Sequence, residues 1–189
     1  MILSAKKVLE LNSKYNLIEN LSERELNNPE GIGIDVRAGE IYKLTGESFL
    51  GVSDRKTADI EKVADIKKDK FFVLKPGEFF LVKTIEKVNL PATKIQVDGA
   101  EPTIIMQDAY PRSTLQRSGI IFRGTKTDPG YSGELTFSLF NASAFPFKLE
   151  LGARFANLVF STVLGELTRP YEGQWQAGRV SATEKERQN

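Results

Sequence analysis

The sequence predicts a mainly-β fold, an antiparallel sandwich or barrel with short helices at its N-terminus, on three observations. From Gly31 onward, short apolar runs recur with turn residues every ten or so positions. Several runs alternate in polarity: in residues 134–140, Leu135, Phe137 and Leu139 take one face while Thr136 and Ser138 take the other. Helix signals stand before Pro29. That combination is the pattern of a sandwich or barrel.

Taken in order, Ser4 can cap a short helix through Leu11, with Val8 and Leu11 on one side. Ser22 and Glu25 have capping-box spacing for a second turn, stopped near Pro29. Ile34 and Val36 alternate with Asp35 and Arg37, and Phe49-Leu50-Gly51-Val52 reads as a buried strand. The charged run from Asp54 to Lys70 reads as a solvated connection, since its acids and lysines nearly balance. Residues 71–74 and 79–82 form a strand pair about Lys75-Pro76-Gly77. A turn at 88–91 and short strands at 95–97 and 103–106 follow. Phe147, Leu149 and Leu151 alternate with charged residues, and 155–163 gives the last long strand. The chain divides into a β domain over 1–170 and a C-terminal arm over 171–189, whose composition predicts disorder beyond about Ser181.

Composition excludes several chemistries. The formal net charge is +1, so there is no global basic field for nucleic acid, and local donors must hold any bound anion. No apolar run approaches the ~20 residues of a membrane-spanning helix, and Met1-Ile2-Leu3 leads straight into charged residues. A cytoplasmic protein is expected. The chain has no His and no Cys. It therefore cannot build the His/Cys zinc site of the zinc deaminases, nor a Ser-His-Asp or Cys-His centre. General acid–base work falls to a carboxylate, Lys, Tyr or a positioned water.

The chemistry-bearing stretch is residues 110–141. Arg112 and Arg117, with Ser113 and Thr114 between them, supply charge-assisted donors suited to phosphate oxygens. Asp128, at the Asp128-Pro129-Gly130 turn, is a lone carboxylate able to hold or activate a water. A surface Arg–Asp pair is the competing reading. Gly119 and Gly124 with Thr125-Lys126-Thr127 mimic a P-loop, but Thr125 stands where Lys must be and no helix follows.

Four segments together resemble the dUTPase and dCTP deaminase superfamily. Pro111-Arg112-Ser113-Thr114-Leu115 is similar to its P/G-R-S-x-L motif, and residues 128–134 to its D-x-x-Y/W-x-G motif. Gly33-Ile34-Asp35-Val36-Arg37 and residues 152–158 are similar to its early G/S-Y-D-L and late G-x-R-I-x-Q-L segments. The resemblance implies a distorted jelly roll and a homotrimer with sites between subunits. It implies that Asp128 orients the attacking water and that Arg112, Ser113, Thr114 and Arg117 surround the phosphates. Mg²⁺ would arrive on the triphosphate, with no protein metal site. Tyr131 would pack on the deoxyribose, with Phe137 also facing substrate, and Asp35 would be structural. An arm carrying Tyr171, Trp175, Gln176 and Arg179 would close over the nucleotide; the competing role for Trp175 is to pack the arm onto a neighbour.

Ser138 then decides the expected reaction. Deaminases of the superfamily place a proton-transferring glutamate there, and a serine cannot replace it. Glu134 lies on the same polar face but roughly 13 Å away at ~3.3 Å per residue, and reads as too distant. The expectation is a dUTP diphosphatase, yielding dUMP and pyrophosphate, of the archaeal type in the deaminase-like branch. A dCTP deaminase, or a bifunctional dCTP deaminase/dUTPase, is the alternative, and a non-catalytic nucleotide-binding trimer the second. Departures from the family pattern include Asn157 for Gln, a short segment before Asp128 that lacks a uracil-reading Asn, and Gly178 in place of the arm's last Gln.

Overall fold

Residues 1–99, 101–182 and 184–187 are described by a computed structural model. Helix α1 (Ala5–Tyr15) is followed by β1 (Ile18–Glu19), α2 (Glu23–Asn27), β2 (Gly33–Leu44), β3 (Phe49–Leu50), β4 (Asp54–Lys56) and β5 (Ile60–Asp65). Next come β6 (Phe71–Leu74), β7 (Phe79–Asn89), β8 (Ile104–Pro111), the short helix α3 (Ser113–Arg117) and β9 (Ile120–Arg123). The chain ends with β10 (Ser132–Asn141), β11 (Phe147–Glu150), β12 (Arg154–Val163), a 3₁₀ turn at Gln176–Gly178, and β13 (Glu186–Arg187).

The fold is the expected β jelly roll. Its main sheet runs β8-β12-β2-β7-β10-β9, with β1 added on β7 and β5 on β2. Every pairing in it is antiparallel. Strand β2 holds it together by bending: residues 33–37 pair with β12, while residues beyond Ala38 pair with β7 and β5. The register shifts between Ala38 and Glu40, where a Cβ on Gly39 would press on Ile85. Alternation is strict in β7 and β10, so one face of each enters a core centred on Phe155, Phe160, Leu158 and Ile34.

The N-terminal helix forms as its cap predicts. The Ser4 hydroxyl accepts the Lys7 N–H, and Val8 and Leu11 are buried. It runs on to Tyr15, where Asn16 adopts the left-handed conformation that ends it. Ser22 likewise caps α2 through the Glu25 N–H.

Six expectations are corrected. Residues 71–74 pair with β11 and not with 79–82, because β2 and β10 take the edges of β7. Residues 49–52 are a surface hairpin, with Val52 98% exposed, because an apolar run alone does not reveal what covers it. The charged run contains β4 and β5, whose backbones pair with β3 and β2. Residues 95–97 form only a bridge from Ile95 to Thr103, and β7 continues through Asn89, where a turn was expected. Beyond Ser181 the arm is held: Ala182 is buried, its N–H donates to the Thr57 hydroxyl, and β13 pairs with β4. Low apolar content predicts no core, but backbone pairing to an existing edge needs none. Residues 183, 188 and 189 of that tail lie outside the described residues.

Candidate active site

The turn before β10 sets Asp128. The Tyr131 N–H closes it onto the Asp128 carbonyl at 3.1 Å, and Gly130 donates to the Leu90 carbonyl at 2.9 Å. Gly130 has φ +97° and lies against the Tyr171 backbone, so a side chain there meets strain and a clash together. The Asp128 carboxylate stays partly exposed and pairs with the Lys126 ammonium.

Asp128 lines a cavity of about 590 Å³ between β10, the hairpin region 44–58 and the C-terminal arm. Tyr131, Glu134, Thr136 and Phe137 form one wall of it, and Tyr171, Trp175 and Arg179 form the cover. The Glu134 carboxylate is one-third exposed and 3.5 Å from the Lys83 ammonium. Beside it, the Thr136 hydroxyl is buried without a hydrogen-bond partner among the described residues. Such a group costs ~1–3 kcal/mol unless something pairs with it. The Tyr131 phenol donates to the Glu134 carbonyl at 2.5 Å. Burial, then the Glu134 charge and Tyr171, push its pKa well above the ordinary tyrosine value, so it stays a donor. Phe137 is 2% exposed and packs on Phe122 and Phe155, so it serves the core as well as the cavity wall.

The arm closes over its own chain. The Gln176 side chain accepts the Ser132 N–H at 2.9 Å and donates to the Gly130 carbonyl at 2.8 Å. Tyr171 donates its N–H to the Pro129 carbonyl, and its hydroxyl accepts the Trp175 N–H. A Cβ on Gly133 would fall on the Gly178 amide, so glycine at both positions lets the backbones touch. Arg179, expected to close over the nucleotide with the arm, is ion-paired to Glu186 at 2.6 Å and bonded to the Ser181 carbonyl.

Arg112 and Ser113 line a separate cavity of about 570 Å³, which shares no residue with the first. The Arg112 N–H donates to the Phe155 carbonyl, and Leu115 is buried under α3, fixing this corner on β12. Thr114 and Arg117 are exposed on α3 and line neither cavity. Asp35 is 2% exposed and receives Arg112, Arg154 and Asn157. Among the described residues there is no cluster of three carboxylates able to hold a metal, and no helix is long and apolar enough to cross a membrane.

Sequence reasoning passed over two groups. Thr136 was visible on the polar face of the alternating run, but nothing in a sequence marks a hydroxyl as unpartnered. Glu134 was dismissed for its distance from position 138, yet it lines the cavity and Ser138 does not.

A β-rich chain with one cavity beside Arg112 and Ser113 and another beside Asp128 and Glu134 is the class of protein the fold defines, and comparison narrows it. The fold matches the crystal structure of 2'-deoxycytidine 5'-triphosphate deaminase from Agrobacterium tumefaciens with TM-score 0.61 and 18% identity, over 84% of this chain and 48% of that one. The chain thus spans about half the length of that structure. Residues 2–163 match the dCTP deaminase-like family, and the chain belongs to it. The dCTP deaminase of Pyrococcus furiosus is 32% identical over 86% of each chain. A "dCTP deaminase, dUMP-forming" of Dictyoglomus turgidum is 29% identical over 90% of this chain and 85% of its own. These relatives overturn the expected dUTP diphosphatase, for which Ser138 was the deciding residue; the deaminase alternative is the one they support.

Proposed function

We propose that this chain is a dCTP deaminase, hydrolysing dCTP to dUTP and ammonia. The observation that carries the reading is the Glu134 carboxylate beside the unpartnered Thr136 hydroxyl in the aromatic-covered cavity. Family membership and the names of the relatives support the substrate.

Hydrolytic deamination adds water to C4 of cytosine and breaks the C4–N bond. The water oxygen becomes uracil O4; one of its protons ends on ring N3, and the other leaves with the amino nitrogen as ammonia. One group must take a proton from water and return it to the departing amine. Two carboxylates line the cavity, and with Asp128 paired to Lys126 we assign this proton transfer to Glu134, beside Thr136. Thr136 supplies a hydrogen bond to the base, Tyr131 and Phe137 give it a flat wall, and Tyr171 and Trp175 exclude bulk water. Asp128, paired with Lys126, orients water or sugar at the mouth.

The triphosphate is assigned to the Arg112, Ser113, Thr114 and Arg117 corner of a neighbouring copy in a homotrimer. Mg²⁺ arrives with the substrate. The separation of the two cavities on one chain supports this division.

Incubation with dCTP and Mg²⁺, followed by nucleotide chromatography and an ammonia assay, tests the reading. A uracil nucleotide and equimolar ammonia are expected. Glu134→Gln should lose at least ~100-fold in kcat, in the range of a lost general acid–base, while Ser138→Ala stays near wild type. No ammonia from dCTP would overturn the assignment, and full activity in Glu134→Gln would remove that residue from it.

A further inference from the structure

Glu25 is a carboxylate with no exposed surface, carried into the core by a helix of one turn. Capping α2 uses only its backbone N–H. Its side chain has other partners: Oε2 accepts the Asp35 N–H at 3.2 Å, and Oε1 lies 2.6 Å from Arg24 Nη1 and 3.5 Å from Arg154 Nη1. Arg154 Nη1 is also 3.0 Å from Asp35 Oδ2, the same oxygen that receives Arg112 Nη1. Asn157 fills the other oxygen, Oδ1, at 2.8 Å. Its amide fits there because residue 33 is glycine, whose Cβ would occupy that space.

Asp35 thus serves two guanidinium groups through one oxygen, an arrangement that a single carboxylate does not balance. Glu25 supplies the second negative charge on the Arg154 side and also grips the Asp35 backbone. Asp35 Oδ2, shared with Arg154, then holds Arg112 by one nitrogen. The remaining Arg112 donors have no acceptor among the described residues, and the arginine lines the second cavity beside Ser113. A guanidinium fixed at one edge presents its other edge in one direction, which favours bidentate anion contact.

We propose that Glu25 is a positioning residue for Arg112, acting through Arg154 and Asp35 to aim the free guanidinium edge at a phosphate group. The inference rests on reading the Arg112–Ser113 corner as the nucleotide's phosphate site. Its test is therefore built on inorganic tripolyphosphate, whose binding needs no deamination.

Titration calorimetry of the full chain is expected to show tripolyphosphate binding that Arg112→Gln abolishes. Glu25→Gln should raise the tripolyphosphate Kd and the dCTP KM about tenfold, with kcat unchanged within about twofold, because it loosens aim without touching the base cavity. Ser22→Ala is the structural control. It removes the α2 cap and lowers Tm, yet should leave the Kd unchanged. Should Glu25→Gln fail to fold, Glu25→Asp carries the test, keeping the charge but shortening its reach, with a rise of several-fold expected. The proposal is overturned if wild type binds no tripolyphosphate, if a folded Glu25 variant keeps the wild-type Kd, or if Ser22→Ala shifts the Kd as far as Glu25→Gln does. A chain that binds tripolyphosphate through Glu25 but leaves dCTP intact would sink the deaminase reading and leave this inference standing.

Discussion

At the scale of single residues, burial decides what a group can do. The Thr136 hydroxyl pairs with nothing among the described residues, and its desolvation is therefore unrepaid until a ligand arrives. Thr136→Val, nearly isosteric, should leave Tm unchanged or slightly raised and increase the dCTP KM about 5–20-fold, the range of one neutral hydrogen bond. Equal KM in both proteins would show that the hydroxyl does not read the base. Two phenols, the half-buried Tyr42 and the buried Tyr131, carry a second expectation. Burial, then the Glu40 hydrogen bond, lifts Tyr42 to about 12, and Tyr131 is raised by burial, then the Glu134 charge. A folded-state pKa above the unfolded value adds stability that is full below the unfolded pKa of ~10 and is lost as pH rises through the folded one. Ultraviolet titration of the folded protein should therefore leave Tyr42 and Tyr131 un-ionised at about pH 11, and stability should fall on the alkaline side of pH ~10.

At the scale of elements, the strands that enter the core were legible and the edges were not. Residues 134–140 alternate because one face of β10 is buried, and the sequence records that as polarity. The hairpin 49–52, β4 and β13 are held by backbone bonds, which any side chain can accompany, so composition misreads them. Glu134 was misjudged for a related reason. The place of a cavity depends on where the arm folds back, and here Gly178 settles on β10 at Gly133. Gly133→Ala puts a methyl group into that contact. Arm closure should weaken, with faster proteolytic cutting between residues 171 and 182 and at least a tenfold loss of turnover. The core strands should still melt as one unit, since their packing does not depend on the arm. Unchanged proteolysis and turnover would show that the arm's seat on β10 is dispensable.

At the scale of the whole molecule, the proposed function asks a single nucleotide to join two separate cavities. The first holds Glu134 and Thr136, the second Arg112 and Ser113. The proposed trimer would do so by bringing the Arg112 corner of one copy to the Glu134 cavity of the next. Subunit mixing tests that geometry directly. Arg112→Gln and Glu134→Gln should each be nearly inactive when assayed well below the wild-type KM for dCTP. Dissociated together and reassembled at equal ratio, they draw partners at random. A site built from two copies then has a one-in-two chance of taking its Glu134 from the Arg112 variant. It has the same chance of taking its Arg112 from the other, so about a quarter of sites are intact. Recovery of about a quarter of wild-type activity is expected, with a trimer by light scattering. A site contained within one chain recovers nothing at any ratio, because every copy then carries one of the two lesions.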